Sequence, residues 1–218
     1  SAFDGMREHP SWSWEDLGSY YGQGSSGLNF CENFLRFNVR PGAKVGDPIR
    51  LTQLYPKTPW LKIEDESSTG VPGSGDELYF YTTDFSPKAL MRGTYAVDKK
   101  PKVLCCANKQ PELSCATEFL KYLNSNGIAG GTAVGEPKGT GRCELEILGE
   151  SESVPLSRIA RFTNVDSNNL FAECLFRSLG RDLCGSACYD SCAVAIYKVL
   201  GSLGLGNTSA HIVDGSGP

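Results

Sequence analysis

Nine cysteines, at positions 31, 105, 106, 115, 143, 174, 184, 188 and 192, carry most of the reactive chemistry in these 218 residues. A thiol can hold a metal, attack a carbonyl, or pair with another thiol. Structural zinc takes paired CxxC or Cys/His ligands from tight turns. The chain has no CxxC, and its only two histidines, His9 and His211, lie near the ends, so no metal centre is expected. A catalytic thiol needs a base within reach, and both histidines fall in segments expected to be loose. Neither GxSxG nor HExxH occurs, which argues against a Ser-His hydrolase. Glycoside hydrolysis needs only two acids, and Glu144/Glu146 or Asp65/Asp84 are the pairs on offer. Strand alternation makes the first pair ordinary exposed neighbours.

Oxidation is the remaining use for so many cysteines. Cys184, Cys188 and Cys192 recur every four residues, so on one helix they form a stripe whose members point the same way and do not pair with each other. Each should reach to another element, with Cys174, Cys143 and Cys115 as candidate partners. Cys105 and Cys106, on opposite sides of an extended segment, would tie it to two elements, one of them carrying Cys31. An odd count leaves one thiol over. Asn207-Thr208-Ser209 is an N-glycosylation sequon that agrees with a secreted, oxidising setting.

Other side chains suggest contact rather than catalysis. Trp12, Trp14, Tyr20 and Tyr21 crowd a Gly/Ser-rich segment; they either anchor an N-terminal arm or stack on a flat ligand. The acids Glu64, Asp65, Glu66, Asp76 and Glu77 lack EF-hand spacing and read as a solvated rim. The glycines of 127–141 lack the GK[ST] ending of a phosphate loop, so no nucleotide cofactor is implied. Twenty-one Lys and Arg are interspersed among twenty-five Asp and Glu, leaving no basic stripe for nucleic acid, and no apolar run is long enough to span a membrane.

Two kinds of pattern must position these groups. Short alternating runs over 33–40, 48–55, 60–63, 77–82 and 93–98, punctuated by proline and glycine, predict an antiparallel sheet folded as a sandwich or small barrel. Phe34, Phe37 and Val39 are the expected inward residues of the first, and 67–75 should be a mobile hairpin tip. Further along, 113–123 reads as an amphipathic helix capped by Ser114, 142–148 as a strand, and 167–179 and 182–200 as helices stopped by Gly180 and Gly201. The fold class is therefore α+β: an arm (1–28), a β-rich domain (29–104), a disulfide-stapled α/β domain (105–203) and a polar, flexible tail (204–218).

The run SCATEFLKYLNSNG, a glycine-bearing link, the strand entry GTGRCELEI and a further cysteine-bearing helix resemble the killer-toxin-like, necrosis-inducing class of small secreted fungal effectors. The resemblance implies Cys115 and Cys143 as framework cysteines, and recognition by a host protein or receptor without catalysis. The expectation is a secreted, disulfide-stabilised binding protein of effector or toxin type, not an enzyme and without a cofactor. The competing expectation is a secreted carbohydrate-binding or glycoside hydrolase-like protein using the four aromatic residues.

Overall fold

A computed structural model of the chain describes residues 2–84, 86–135, 149–206 and 211–217. The N-terminal half forms two sheets that share one core. Strand β1 (Phe34–Arg40) lies between β2 (Arg50–Gln53) and β7 (Lys102–Ala107), both antiparallel to it. In the second sheet β6 (Lys88–Ala96) is central. The short strands β3 (Lys62–Asp65) and β4 (Ser68–Gly70) run parallel to it along one edge, and β5 (Asp76–Tyr81) is antiparallel on the other. The sheets face each other without closing into a barrel. Leu35, Phe37 and Val39 of β1 pack with Phe80, Met91, Tyr95 and Cys106 from β5, β6 and β7.

Period-two alternation dictates this core, but the inward register begins at Leu35, not Phe34, because a strand places i, i+2 and i+4 on one face. The second sheet is mixed rather than antiparallel. The expected hairpin tip also holds β4, whose Thr69 and Gly70 are buried; Thr69 Oγ1 accepts a hydrogen bond from the Gly42 amide at 2.7 Å. These small residues let the segment lie against β6 with no large apolar side chain to announce it.

Four helices follow among the described residues. Helix α1 (Pro111–Ser125) opens with proline at its first position, where no N–H partner is needed, so Ser114 is a buried interior residue bonded to Asn108 rather than a cap. Helix α2 (Leu156–Val165) leads into α3 (Asn169–Cys184), which packs on α4 (Tyr189–Ser202) through Phe176, Tyr189 and Cys192. Gly180 does not stop α3. It sits inside the helix because a Cβ there would lie 2.4 Å from Cys192 Sγ; the stop is Gly185, in the left-handed conformation (φ 73°) that favours glycine.

That shift separates the cysteine stripe. Cys184 ends α3, Cys188 is the N-cap of α4, and only Cys192 lies within α4. All eight described cysteines are free thiols, so the disulfide staple expected for this half is not present among the described residues. Their neighbours explain how they are accommodated. Cys106 fills the sheet core, Cys192 the α3–α4 contact, and Cys174 Sγ accepts from Asn29 Nδ2 at 3.3 Å. Burial raises all three, Cys174 and Cys192 to about 11, which keeps them protonated and inert. Cys143, with its predicted strand and Glu144/Glu146, and Asn207 lie outside the described residues. No helix among the described residues is long and apolar enough to cross a membrane.

The N-terminal arm joins the two halves. Arg177, fully buried on α3, donates from Nε to the Ala187 carbonyl and from Nη1 to the Ser25 carbonyl, each at 3.0 Å, and also bonds the Asp4 carbonyl. Phe3 and Tyr189 stack against its guanidinium. A buried cation is tolerated only with such saturation by acceptors.

Candidate functional site

The chain turns sharply between α2 and α3. Asp166 closes α2, Ser167 then adopts φ 51°, and Asn168 caps α3 by accepting the Phe171 amide at 3.0 Å. A β-carbon in the left-handed region costs about 1–2 kcal/mol, and a non-glycine residue held there signals a geometry that its surroundings impose. The imposing contacts are present: the Asn168 amide bonds the Thr163 carbonyl at 3.1 Å, and Asn169 Nδ2 donates to the Tyr21 carbonyl at 3.1 Å. Ser167 is exposed, and Asn168 and Asn169 are half-buried.

All three residues line a cavity of about 570 Å³. Asp214, Gly215 and Ser216 line it as well, together with Phe176 and Ile196. Segment 211–217, read from sequence as part of a polar tail, lies across α3. The Ile212 amide bonds the Tyr197 hydroxyl at 3.1 Å, and Trp12 Nε1 donates to Asp214 Oδ2 at 2.6 Å. Glycine is required at 215, where a Cβ would fall 2.6 Å from that of Phe176 and 2.7 Å from the Ala172 carbonyl oxygen. Ser167 and the Asn169 carboxamide, the latter held through Nδ2, supply hydrogen-bonding groups suited to orienting a polar ligand, with no cluster of metal-ligating side chains among the described residues.

The residues singled out from sequence are mostly elsewhere. Trp12 reaches the site as the partner of Asp214. Trp14 stacks on Tyr81 with ring centroids 4.8 Å apart, Tyr20 packs edge-on against Tyr21, and the Tyr21 hydroxyl donates to Asp16 Oδ1 at 2.7 Å. Cys31 lies in a left-handed turn with Glu32 and Asn33. Asp65 accepts from Ser67, while Asp84 lines a second cavity with Arg7, Lys109 and Glu112. The acids Glu64 and Glu66 form exposed ion pairs with Lys62, Lys88 and Arg92.

Comparison with known proteins places the chain in a family. The profile of the D-Ala-D-Ala carboxypeptidase 3 (S13) family matches residues 1–217, and the chain belongs to that family. It is 25% identical, over 223 aligned residues, to the D-alanyl-D-alanine carboxypeptidase of Actinomadura sp. (strain R39), covering 99% of this chain and 41% of that protein. Among solved structures, penicillin binding protein 4 (dacB) of Haemophilus influenzae superposes with a TM-score of 0.81 at 17% identity, over 99% of this chain and 47% of the other. The same protein complexed with a novel beta-lactam superposes at 0.69, with 17% identity, over 88% and 43%. The chain therefore spans less than half the length of these relatives.

Membership of this family overturns the fungal-effector resemblance and, with it, the reading of a binding protein without catalysis. The carbohydrate-active alternative falls for the same reason, and nothing supports a host receptor as partner. Of the two framework cysteines that resemblance implied, Cys115 is a half-buried free thiol on α1 and Cys143 lies outside the described residues. What sequence reasoning passed over is Ser167-Asn168-Asn169. Serine enzymes that bind penicillin carry an SxxK, an S-D-N and a KTG element. This tripeptide keeps the outer Ser and Asn of the second, with Asn168 at the centre, whereas SxxK and KTG occur nowhere in the 218 residues.

Proposed function

We propose that this chain supplies the S-x-N wall of a D-Ala-D-Ala carboxypeptidase site, and that the nucleophilic serine, its lysine and the KTG strand belong to sequence beyond these 218 residues. The observation that carries the reading is the strained Ser167-Asn168-Asn169 corner at a cavity mouth in a chain of this family. In such a reaction a serine hydroxyl attacks the carbonyl of the penultimate D-Ala, the terminal D-Ala departs as an amine, and water releases the acyl group. The part derived from this chain is orientation and proton management. The Ser167 hydroxyl, able to donate and accept, is placed to face a reacting group. Asn169, with its amide fixed through Nδ2 to Tyr21, holds the peptide of the substrate. The left-handed corner brings both onto one short stretch of backbone.

Fluorescent penicillin tests this reading. The 218-residue chain alone should remain unlabelled. Joined to the part of a carboxypeptidase that carries SxxK and KTG, it should be acylated, and Ser167→Ala should lower the acylation rate by about a hundredfold, the usual effect of removing one positioned hydrogen-bonding group. Labelling of the chain alone, or an unchanged rate in Ser167→Ala, would overturn it.

A further inference from the structure

Beneath the two walls of the cavity lies a carboxylate whose partners all belong to one of them. Glu173 follows Asn169 by four residues on α3, hence on the same face, and its residue is 0% exposed. Its Oε1 accepts three hydrogen bonds: from the Gly215 amide at 2.9 Å, the Ser216 amide at 2.8 Å and the Ser216 hydroxyl at 2.8 Å. Its Oε2 is buried and accepts none among the described residues. Burial raises its pKa, and the nearby Asp214 acts in the same direction.

A side chain serving only to fill this space would be better apolar, because burying a carboxylate costs more than a methylene of equal volume returns. Three donors converging on one oxygen instead fix the height at which 214–217 crosses the helix. At Gly215 the segment comes so close to α3 that a Cβ would meet Phe176 and the Ala172 carbonyl. The turn of helix that carries Asn169 in the cavity lining therefore also holds the 214–216 segment that lines the same cavity.

We infer that Glu173 is a positioning residue that sets the separation between the Ser167–Asn169 wall and the Asp214–Ser216 wall, without itself touching substrate. Its bearing on acyl transfer rests on the function proposed above; the tether itself does not.

Amide spectra of the 218-residue chain test the tether. In the wild type, the Gly215 and Ser216 amide shifts should titrate with the Glu173 carboxyl carbon at one shared midpoint. In Glu173→Gln the amides should lose about tenfold in hydrogen-exchange protection, as when one charge-assisted hydrogen bond is weakened, while Leu170 and Phe176 keep theirs. Glu173→Asp, which retains charge but shortens the reach, should disturb the same two amides and so covers the case in which Glu173→Gln does not fold. Amides that ignore the carboxyl titration in the wild type, or unchanged protection in either variant, would overturn the inference. In the joined polypeptide, Glu173→Gln should slow acylation by about tenfold or more through misplacement, with penicillin affinity nearly kept; a wild-type acylation rate would refute the positioning role. Failure of the Ser167→Ala experiment would remove the proposed function and leave the spectral result standing, so the two fail separately.

Discussion

Ser167 offers a test of the corner that needs no substrate. Glycine is ordinarily less stabilising than alanine in ordered structure, by roughly 0.5–1 kcal/mol, because its unfolded chain has more freedom to lose. At φ 51° the order should invert. Alanine keeps the left-handed penalty of about 1–2 kcal/mol, and glycine removes it. Subtracting the entropic cost leaves Ser167→Gly more stable than Ser167→Ala by about 0.5–1 kcal/mol. Urea titrations of both variants, followed by far-ultraviolet circular dichroism, would show this as a higher midpoint for the glycine variant at unchanged m-value. In a domain of this size the same difference is roughly 1–4 °C in melting temperature. Ser167→Asn should fall between them, because asparagine tolerates the left-handed region better than other branched or bulky side chains. If alanine equals or exceeds glycine, Ser167 is not left-handed in solution, and the claim that its surroundings impose the corner fails.

Two further outcomes follow from charge and thiol placement. Asp84 lies in a cavity wall with one oxygen buried and unpartnered among the described residues, and desolvation, followed by Glu8, pushes its carboxyl up to about 6. A carboxyl raised in the folded state binds its proton more tightly there than in the unfolded chain. Its contribution is therefore full below about pH 4 and lost as pH rises through about 6. Asp84→Asn should match wild type in stability near pH 4 and exceed it at pH 7.5 by up to about 3 kcal/mol, measured by urea titration at both values; parallel pH profiles would refute this. For the thiols, iodoacetamide under native, non-reducing conditions should alkylate Cys188 first. That residue caps α4, and its hydrogen bonding with Ser186 and Ser191 lowers its pKa, whereas Cys106 and Cys192 are buried and raised. Peptide mapping against time checks the order, and early labelling of Cys106 would contradict the core packing.

The sheets were legible because alternation is a local signal. Every residue of β1 follows period two, so the strand and its burial could be read to within one position. Mixed pairing around β6 could not, since the parallel partners β3 and β4 are each four residues or fewer and their register depends on contacts distant in sequence. Helix ends failed for a related reason. Gly180 and Gly185 are equally good stop signals in the sequence, and only the approach of Cys192 decides that the first must stay inside α3. One misplaced stop then put three cysteines on a single helix and made a disulfide framework look necessary.

The site was hidden by a different property of the chain. Ser167-Asn168-Asn169 is three common residues, and its chemical meaning depends on φ at Ser167, on the Tyr21 carbonyl 148 positions away that fixes Asn169, and on the 211–217 segment closing the cavity. None of these is local. Read from sequence, Ser167 opens a helix over 167–179, whereas α3 begins at Asn169 with Asn168 as its cap and Ser167 outside it. The same backbone turn that ends α2 and caps α3 also exposes Ser167, so a structural signal and a functional one occupy the same residues. Composition could not separate them, and the abundant cysteines, which burial renders inert at Cys106 and Cys192, drew chemical attention to side chains that mainly fill space.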